Sequence, residues 1–161
     1  MRQISLVLAV LAGAGAAHGG EIYGNARFGF FAELPPGFTV ADPEPENGDG
    51  RIFHTADRSA DLVLSGGWTM DGDFVGEVAQ DKAYETDDGW TITYQGTVTK
   101  SSASYSGTKG DRIFYARIII TCGGDAHAAY RLEYPAARKT EFDAAIKLLN
   151  STLKPGEGSC G

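Results

Sequence analysis

Apolar and polar residues alternate over most of the chain beyond residue 24, and this alternation predicts β-strands. In residues 25–34, the apolar side chains of Phe28, Phe30, Ala32 and Leu34 fall on one face of an extended segment. Proline and glycine at residues 35–37 then end the strand. The same reasoning predicts strands over residues 38–40, 51–55, 61–65, 90–95, 102–108, 112–122 and 126–134. Residues 51–65 are expected to form a hairpin.

The strand predicted over residues 112–122 differs from the others because it is apolar on both faces. Ile118, Ile119 and Ile120 are consecutive, so apolar side chains point to both sides of the sheet. We therefore expect this strand to lie in the middle of a sheet that helices cover on each side.

A first segment with a helical period follows residue 70. Asp71 or Asp73 can cap this helix, and the residues at 87–89 stop it. Its predicted apolar stripe consists of Phe74, Val75, Val78, Ala79 and Ala83.

A second helix is predicted near the C-terminus. Thr140 and Asp143 match a capping-box-like start, although the helix has an alternative start at Ala136. Proline and glycine at residues 155–156 end it. Its predicted buried face consists of Phe142, Ile146, Leu149 and Leu153.

The order of these elements is strands, a helix, four strands and a helix. This order predicts an α+β fold, in which an antiparallel-rich central sheet is sandwiched by helices. The sequence shows neither an internal repeat nor a linker long enough to separate domains. We expect one globular domain over residues 21–155 and a short tail over residues 156–161.

Residues 1–20 have the composition of a cleaved signal peptide. Arg2 precedes an apolar run at residues 4–11, and the small residues at 12–17 match the small-x-small rule for signal peptidase. The alternative, a buried helix of the domain, lacks an amphipathic face, and the run is shorter than the ~20 residues of a membrane span. We expect a periplasmic or secreted protein that begins between Ala17 and Glu21, with no membrane span after cleavage.

The charge of the chain bears on its partners. Its formal net charge is −7, and its 14 Lys and Arg residues form no cluster. Nucleic-acid binding needs concentrated positive charge against the phosphates, so the composition disfavours a nucleic-acid partner. An acidic surface by itself names no other partner.

Cys122 and Cys160 are the two cysteines of the chain. In an oxidising compartment an even number suggests a disulfide, and two cysteines allow a single intramolecular pairing. The alternative is a buried free Cys122 with Cys160 in a frayed tail, and we favour the disulfide. The spacing fits no redox Cys-x-x-Cys pair, and two cysteines alone cannot hold a structural zinc ion.

Several turns and core segments resemble one known fold. Arg-Phe-Gly-Phe at 27–30 and Leu-Pro-Pro-Gly-Phe at 34–38 are similar to the opening of PsbP-like domains. That group includes the PsbP subunits of photosystem II, the Ran-binding import factor Mog and the envelope protein DcrB. Segments 46–51, 110–115 and 134–137 also resemble exported bacterial proteins of this fold. The resemblance spans nearly the whole mature chain; it implies a binding or assembly role and supplies no catalytic residue set.

Catalytic and metal-binding motifs give weaker leads. The sequence has no Gly-x-Ser-x-Gly elbow and no His-Glu-x-x-His zinc motif. A site of His54, His127 and an aspartate is an open alternative, but strand histidines are more often structural. The acidic loop from Asp42 to Asp49 invites a calcium site, yet two prolines interrupt it and it departs from the EF-hand pattern. We favour a solvated turn there, and we predict no catalytic residue, metal or cofactor.

These observations favour a non-enzymatic envelope module. We expect it to bind an unidentified protein or small ligand through its sheet edge, its loops or its acidic face. A small hydrolase with an unrecognised site and an inhibitor or immunity-type protein are the two alternatives.

Overall fold

The structure of the protein is a computed structural model that describes residues 20–157 and residue 160. The expected signal segment lies outside the described residues, apart from Gly20. The helices are α1 (Phe74–Asp87) and α2 (Lys139–Thr152). The strands are β1 (Ile22–Asn25), β2 (Phe30–Glu33), β3 (Phe38–Ala41), β4 (Gly50–Thr55), β5 (Asp61–Trp68), β6 (Thr91–Gln95), β7 (Ser102–Lys109), β8 (Arg112–Thr121), β9 (Ala126–Pro135) and β10 (Lys154–Pro155). In this part of the chain, no helix is long and apolar enough to cross a membrane.

Seven strands form one antiparallel sheet in the order β3-β4-β5-β9-β8-β7-β6. Pairing of β5 with β9 joins the β4–β5 hairpin to the meander of β6 to β9, from Asp61 opposite Glu133 to Trp68 opposite Ala126. Gly110, with a φ of +58°, begins the tight turn between β7 and β8. A smaller sheet has the order β1-β2-β10.

Helices cover both faces of the large sheet. One face packs against α2 and the small sheet, with a core that includes Leu62, Leu64, Tyr130, Leu132, Phe142 and Leu149. The opposite face packs against α1, with a core that includes Phe74, Val78, Trp90, Phe114 and Ile118. Ile118 and Ile119 of β8 belong to opposite cores, as expected for a central strand. The α+β sandwich that the order of elements predicts is confirmed.

The predicted strand over residues 25–34 is in fact a hairpin. β1 ends at Asn25, whose Oδ1 accepts a hydrogen bond from the Phe28 amide (3.0 Å). Gly29 then takes a φ of +57°, and β2 runs back antiparallel to β1. The alternation was misleading because Phe28 is buried within the turn, where its ring packs edge-on against Trp68 at 5.2 Å.

The two helix starts were predicted with different success. Asp73 caps α1, as one of the two predicted caps, by accepting a hydrogen bond from the Gly76 amide (2.9 Å). At α2, a 3-10 turn over Ala136–Arg138 leads directly into the helix, and Arg138 makes no side-chain cap. The capping box predicted at Thr140 is therefore wrong, because Thr140 already lies within the first turn of α2.

The apolar stripe predicted for α1 is also partly wrong. Phe74 and Val78 are buried as expected. The remaining members of the stripe are exposed: Val75, Ala79 and Ala83. The face towards the sheet continues instead through Asp81 and Glu85, which follow Val78 at helical spacing. Because half of the face towards the sheet is polar, the apolar pattern alone predicts the wrong orientation of the helix.

The segment after α2 returns to the sheet. The helix ends at Thr152, before the stop predicted at residues 155–156. Strand β10 follows it, with Lys154 opposite Phe31 and Pro155 opposite Phe30. The Gly156 amide donates a hydrogen bond to the Gly29 carbonyl (2.8 Å). These contacts hold the C-terminal segment beside the β1–β2 turn.

Candidate functional site

Helix α1 covers only part of its face of the sheet. It packs over β7 and β8, whereas Ile52, Val63 and Ser65 lie on the open part of the same face, on β4 and β5. These three residues form the floor of a groove between α1 and the loop of residues 42–49, and we call it the sheet-face groove. It consists of two cavities, of about 250 and 370 Å³, that share Val63 and Ser65. Ile52 is 38% exposed in this groove.

The acidic loop forms one wall of the groove, and donors from the chain itself fix its shape. Asn25 Nδ2 donates to the Gly48 carbonyl (2.9 Å), and Arg27 Nη1 donates to Asp49 Oδ1 (2.8 Å). Arg51 Nε donates to the Asp42 carbonyl (3.0 Å). The loop is thus held in place by hydrogen bonds.

The calcium site considered from the sequence gains no support from this geometry. Across residues 20–157 and Cys160, the structure brings together no group of three or more His, Cys, Asp and Glu side chains that could hold a metal ion.

His54 lies on β4, two residues after Ile52, between two carboxylates. Its Nδ1 is 2.6 Å from Asp61 Oδ1, and its Nε2 is 3.0 Å from Asp42 Oδ2. The hydrogen bonds to Asp61 and then Asp42 raise the pKa of His54. The ring therefore ties the acidic loop to β5, and it does so most strongly when protonated.

His127 lies on β9, beside the other end of β5, and does not join His54. It pairs with Gly67, whereas His54 pairs with Asp61, six residues earlier on the same strand. Burial lowers the pKa of His127. The two-histidine site considered from the sequence is therefore not assembled.

A chain of ion pairs crosses the sheet beneath α1. Arg131 donates to both carboxylate oxygens of Glu85 on α1, at 2.5 and 3.1 Å, and to Glu133 at 2.8 Å. Arg112 Nε donates to the other oxygen of Glu133 (2.9 Å). The Arg131 guanidinium also lies 4.7 Å from the centre of the Phe114 ring. Every polar atom of this guanidinium group is therefore engaged within the protein.

Asp81 lies next to this network and has no such partner. Burial, followed by the charges of Glu77 and Glu85, raises its pKa to about 6. It lines the 250 Å³ cavity together with Tyr105, which is 4% exposed. An aspartate of this kind in a cleft marks a candidate binding site.

The groove holds a serine but does not place a base beside it. Ser65 lies opposite Gly50 in the β4–β5 pair, whereas His54 lies opposite Asp61. Four residues of β5 separate these two rows, which corresponds to about 13 Å. A general base must lie within hydrogen-bond reach of its nucleophile, so Ser65 and His54 do not form a hydrolytic pair in this arrangement.

The two cysteines, by contrast, are brought together as predicted. Cys122 and Cys160 are joined in a disulfide, with their Cα atoms 5.6 Å apart. A Cβ atom at Gly29 would lie 2.6 Å from the Cys160 sulfur, so the bond packs tightly against the β1–β2 turn.

Three candidate site residues were not predicted from the sequence: Asp81, Glu85 and Arg131. One signal was available, since Phe74, Val78, Asp81 and Glu85 recur every three or four residues and therefore share a helix face. The position of Arg131 beneath α1 could not be predicted in this way, because it depends on which strands α1 covers.

Comparison with known proteins identifies structures that share this fold. No family model matches this chain, and no curated protein is significantly similar to it in sequence. The solution structure of cyanobacterial PsbP (CyanoP) from Synechocystis sp. PCC 6803 matches with a TM-score of 0.60 at 14% identity, over 92% of this chain and 98% of that one. The Ran-binding protein Mog1p of Saccharomyces cerevisiae matches with a TM-score of 0.60 at 9% identity, over 84% of this chain and 94% of that one.

The fold is that of PsbP and Mog1. A mutant structure of Mog1 matches equally well, with a TM-score of 0.60. The PsbP-like fold implied by the sequence motifs is thus confirmed. Identities of 9 and 14% establish the fold alone, because one fold supports many functions.

Proposed function

We propose that this chain is an exported, non-enzymatic binding module whose ligand or partner occupies the sheet-face groove. The observation that carries the proposal is the uncovered floor of Ile52, Val63 and Ser65 between α1 and the acidic loop. A concave surface with apolar residues on its floor and a few convergent polar groups on its walls is typical of binding sites.

The histidine and the arginine beside the groove are already paired within the protein, which favours a binding role over a catalytic one. His54 is engaged by two carboxylates, and Arg131 by Glu85 and Glu133. Ser65 has no base within reach. The fold neighbour Mog1p is named as a Ran-binding protein, so this fold is compatible with such a role.

Export is supported by the bond between Cys122 and Cys160, because disulfides persist mainly in oxidising compartments. The intact mass of the protein recovered from the periplasm or the medium tests it. We expect a chain that begins between Ala17 and Glu21. Recovery with residues 1–16 still attached would contradict export by signal cleavage.

Photo-crosslinking tests the location of the binding site. A benzophenone side chain placed at Ile52 should form an adduct in cells that produce the protein. The same group at Lys147, on the exposed side of α2, is the matched control and should form none. Filling the groove by Ser65→Arg should abolish the Ile52 adduct. Adducts of equal yield at both positions, or none at either, would overturn the assignment.

An activity screen tests the non-enzymatic part of the proposal. The purified protein is assayed against ester, phosphoester, peptide and glycoside substrates, with and without a chelator. We expect no turnover. Hydrolysis that is lost in His54→Ala or His127→Ala would make the protein an enzyme instead.

A further inference from the structure

The smaller of the two cavities in the sheet-face groove lies beneath α1, and it contains one unpaired charge, that of Asp81. Its volume is about 250 Å³, and Asp81 projects from α1 to line it. Opposite lie the aliphatic residues Val63, Ala116 and Ile118 of the sheet. The cavity thus combines a carboxylate with an aliphatic wall.

The neighbouring charges leave Asp81 without a counter-ion. Glu85 is neutralised by Arg131, whose Nε and Nη2 it binds at 2.5 and 3.1 Å. The remaining nitrogen of Arg131 donates to Glu133 at 2.8 Å. Asp81 makes no hydrogen bond to any described residue, and its charged neighbours on α1 are the acids Glu77 and Glu85. A cation from outside the chain would supply the missing partner.

Tyr105 provides a second polar group in the same cavity. The residue is 4% exposed and lines the same cavity from β7. Its ring is fixed edge-on against Phe114 at 5.7 Å. Its hydroxyl hydrogen-bonds to none of the described residues, and the oxygen keeps accessible surface in the cavity that the residue lines. The hydroxyl oxygen is therefore free to accept a hydrogen bond within the cavity.

We propose that this cavity binds an alkylammonium group, with the Asp81 carboxylate as its ion-pair partner and the Tyr105 hydroxyl as a further acceptor. The inference rests on the proposed function, because it assigns a ligand class to the same groove. An ammonium group carries three donors on a flexible apolar stem, which suits two acceptors at the end of an aliphatic wall. An anion is not expected, since the positive charge of Arg131 is already balanced by Glu85 and Glu133.

Two sources present this chemistry, a free amine and a lysine side chain of a partner polypeptide. n-Pentylamine represents the first, with n-pentanol as its uncharged control. A capped Ala-Ala-Lys-Ala-Ala peptide represents the second, with its Nε-acetylated form as the control. Binding to the purified mature protein is measured by calorimetry and by NMR. Binding of the peptide but not of the amine would assign the cavity to a partner chain, and the reverse would assign it to a small ligand.

Variants connect binding to the cavity. Asp81→Asn keeps the shape of the side chain and should weaken binding at least about tenfold, because the charged acceptor is lost. Tyr105→Phe should weaken it roughly threefold. Asp87→Asn, which changes the net charge by the same amount at the exposed end of α1, is the matched control and should have no effect.

A measurement on the unaltered protein guards against misfolded variants. The titration of Asp81, followed through its carboxyl carbon signal, should shift to lower pH when n-pentylamine is added. Its charged and titratable neighbours, Glu77, Glu85, Arg131 and Tyr105, are the same with and without the amine. Failure of both the amine and the lysine peptide to bind, or binding equally weakened by Asp87→Asn, would overturn the proposal. A crosslink at Ile52 that persisted in that case would leave the binding role of the groove standing.

Discussion

Glu85 on α1 and Arg131 on β9 form a two-point ion pair, with nitrogen–oxygen distances of 2.5 and 3.1 Å. The side chains are 14 and 25% exposed, so the pair is shielded from solvent far more than a typical surface pair. It fastens the C-terminal end of α1 to the central strand of the sheet, beside the sheet-face groove. The strength of this pair is open to direct measurement.

Removing one partner should destabilise the protein more than removing an exposed salt bridge. Arg131→Met keeps much of the side-chain volume but leaves Glu85 without a cation and Glu133 with Arg112 alone, at an expected cost of about 2–3 kcal/mol in the free energy of unfolding. Lys139→Met breaks the exposed pair with Asp143 on α2 and should lower the free energy of unfolding far less. Urea denaturation at pH 7 measures both. Equal costs for the two variants would show that burial adds nothing to the Arg131 network.

Asp81 should destabilise the folded protein when it is ionised. Its pKa is raised to about 6 in the folded state, so the folded protein binds more protons than the unfolded chain between about pH 4 and 6. Stability from this group is therefore lost as the pH rises through that range. Asp81→Asn should be more stable than the natural protein at pH 8 by on the order of 1–3 kcal/mol, and about equal at pH 4.

The control for Asp81 is again Asp87→Asn, which removes a charge from the same helix at an exposed position. Its stability should follow that of the natural protein at both pH values. A stability gain at pH 8 for Asp81→Asn, together with loss of amine binding, would indicate that the unpaired carboxylate is retained for binding. No gain at pH 8 would mean that the carboxylate is already solvated or paired.

The two histidines should affect stability with opposite signs. The pKa of His54 is raised in the folded state, so its contribution is full below the unfolded pKa of about 6.5 and is lost as the pH rises through the folded value. The pKa of His127 is lowered by burial, so stability is lost as the pH falls below about 6.5. His54→Gln and His127→Gln, unfolded in urea from pH 5 to 8.5, should therefore flatten opposite slopes. Slopes of the same sign would contradict the two environments.

The sequence could predict the elements of this fold because period and turn residues are local properties. The strands β4, β5, β7, β8 and β9 and both helices lie where these patterns put them. The predicted strand at residues 25–34 failed because Phe28 is buried in a turn, which periodicity cannot distinguish from a strand position. The short strand β10 has no period at all, since it consists of two residues.

The candidate site was much less accessible from the sequence. The floor of the groove exists because β5 pairs with β9, 61–68 against 126–133, and because α1 stops short of β4. Both facts depend on long-range pairing. Asp81 became notable only when its cavity and its missing counter-ion were seen together. Cys122 and Cys160 could be paired in advance because two cysteines allow a single intramolecular bond.

The disulfide should stabilise the protein by holding the C-terminal segment against the β1–β2 turn. Cys122 and Cys160 are 38 residues apart, and for such a loop the entropic model gives about 4 kcal/mol, with less expected in practice. Cys122→Ser and Cys160→Ser should each lower the urea midpoint by a similar amount, and the double variant should lower it little further. Hydrogen exchange at the Gly156 amide, which donates to Gly29, should become faster in all three. Reduced and alkylated natural protein is the control and should match the variants. Strictly additive losses, or two freely titrating thiols in protein taken from an oxidising compartment, would show that the cysteines act separately.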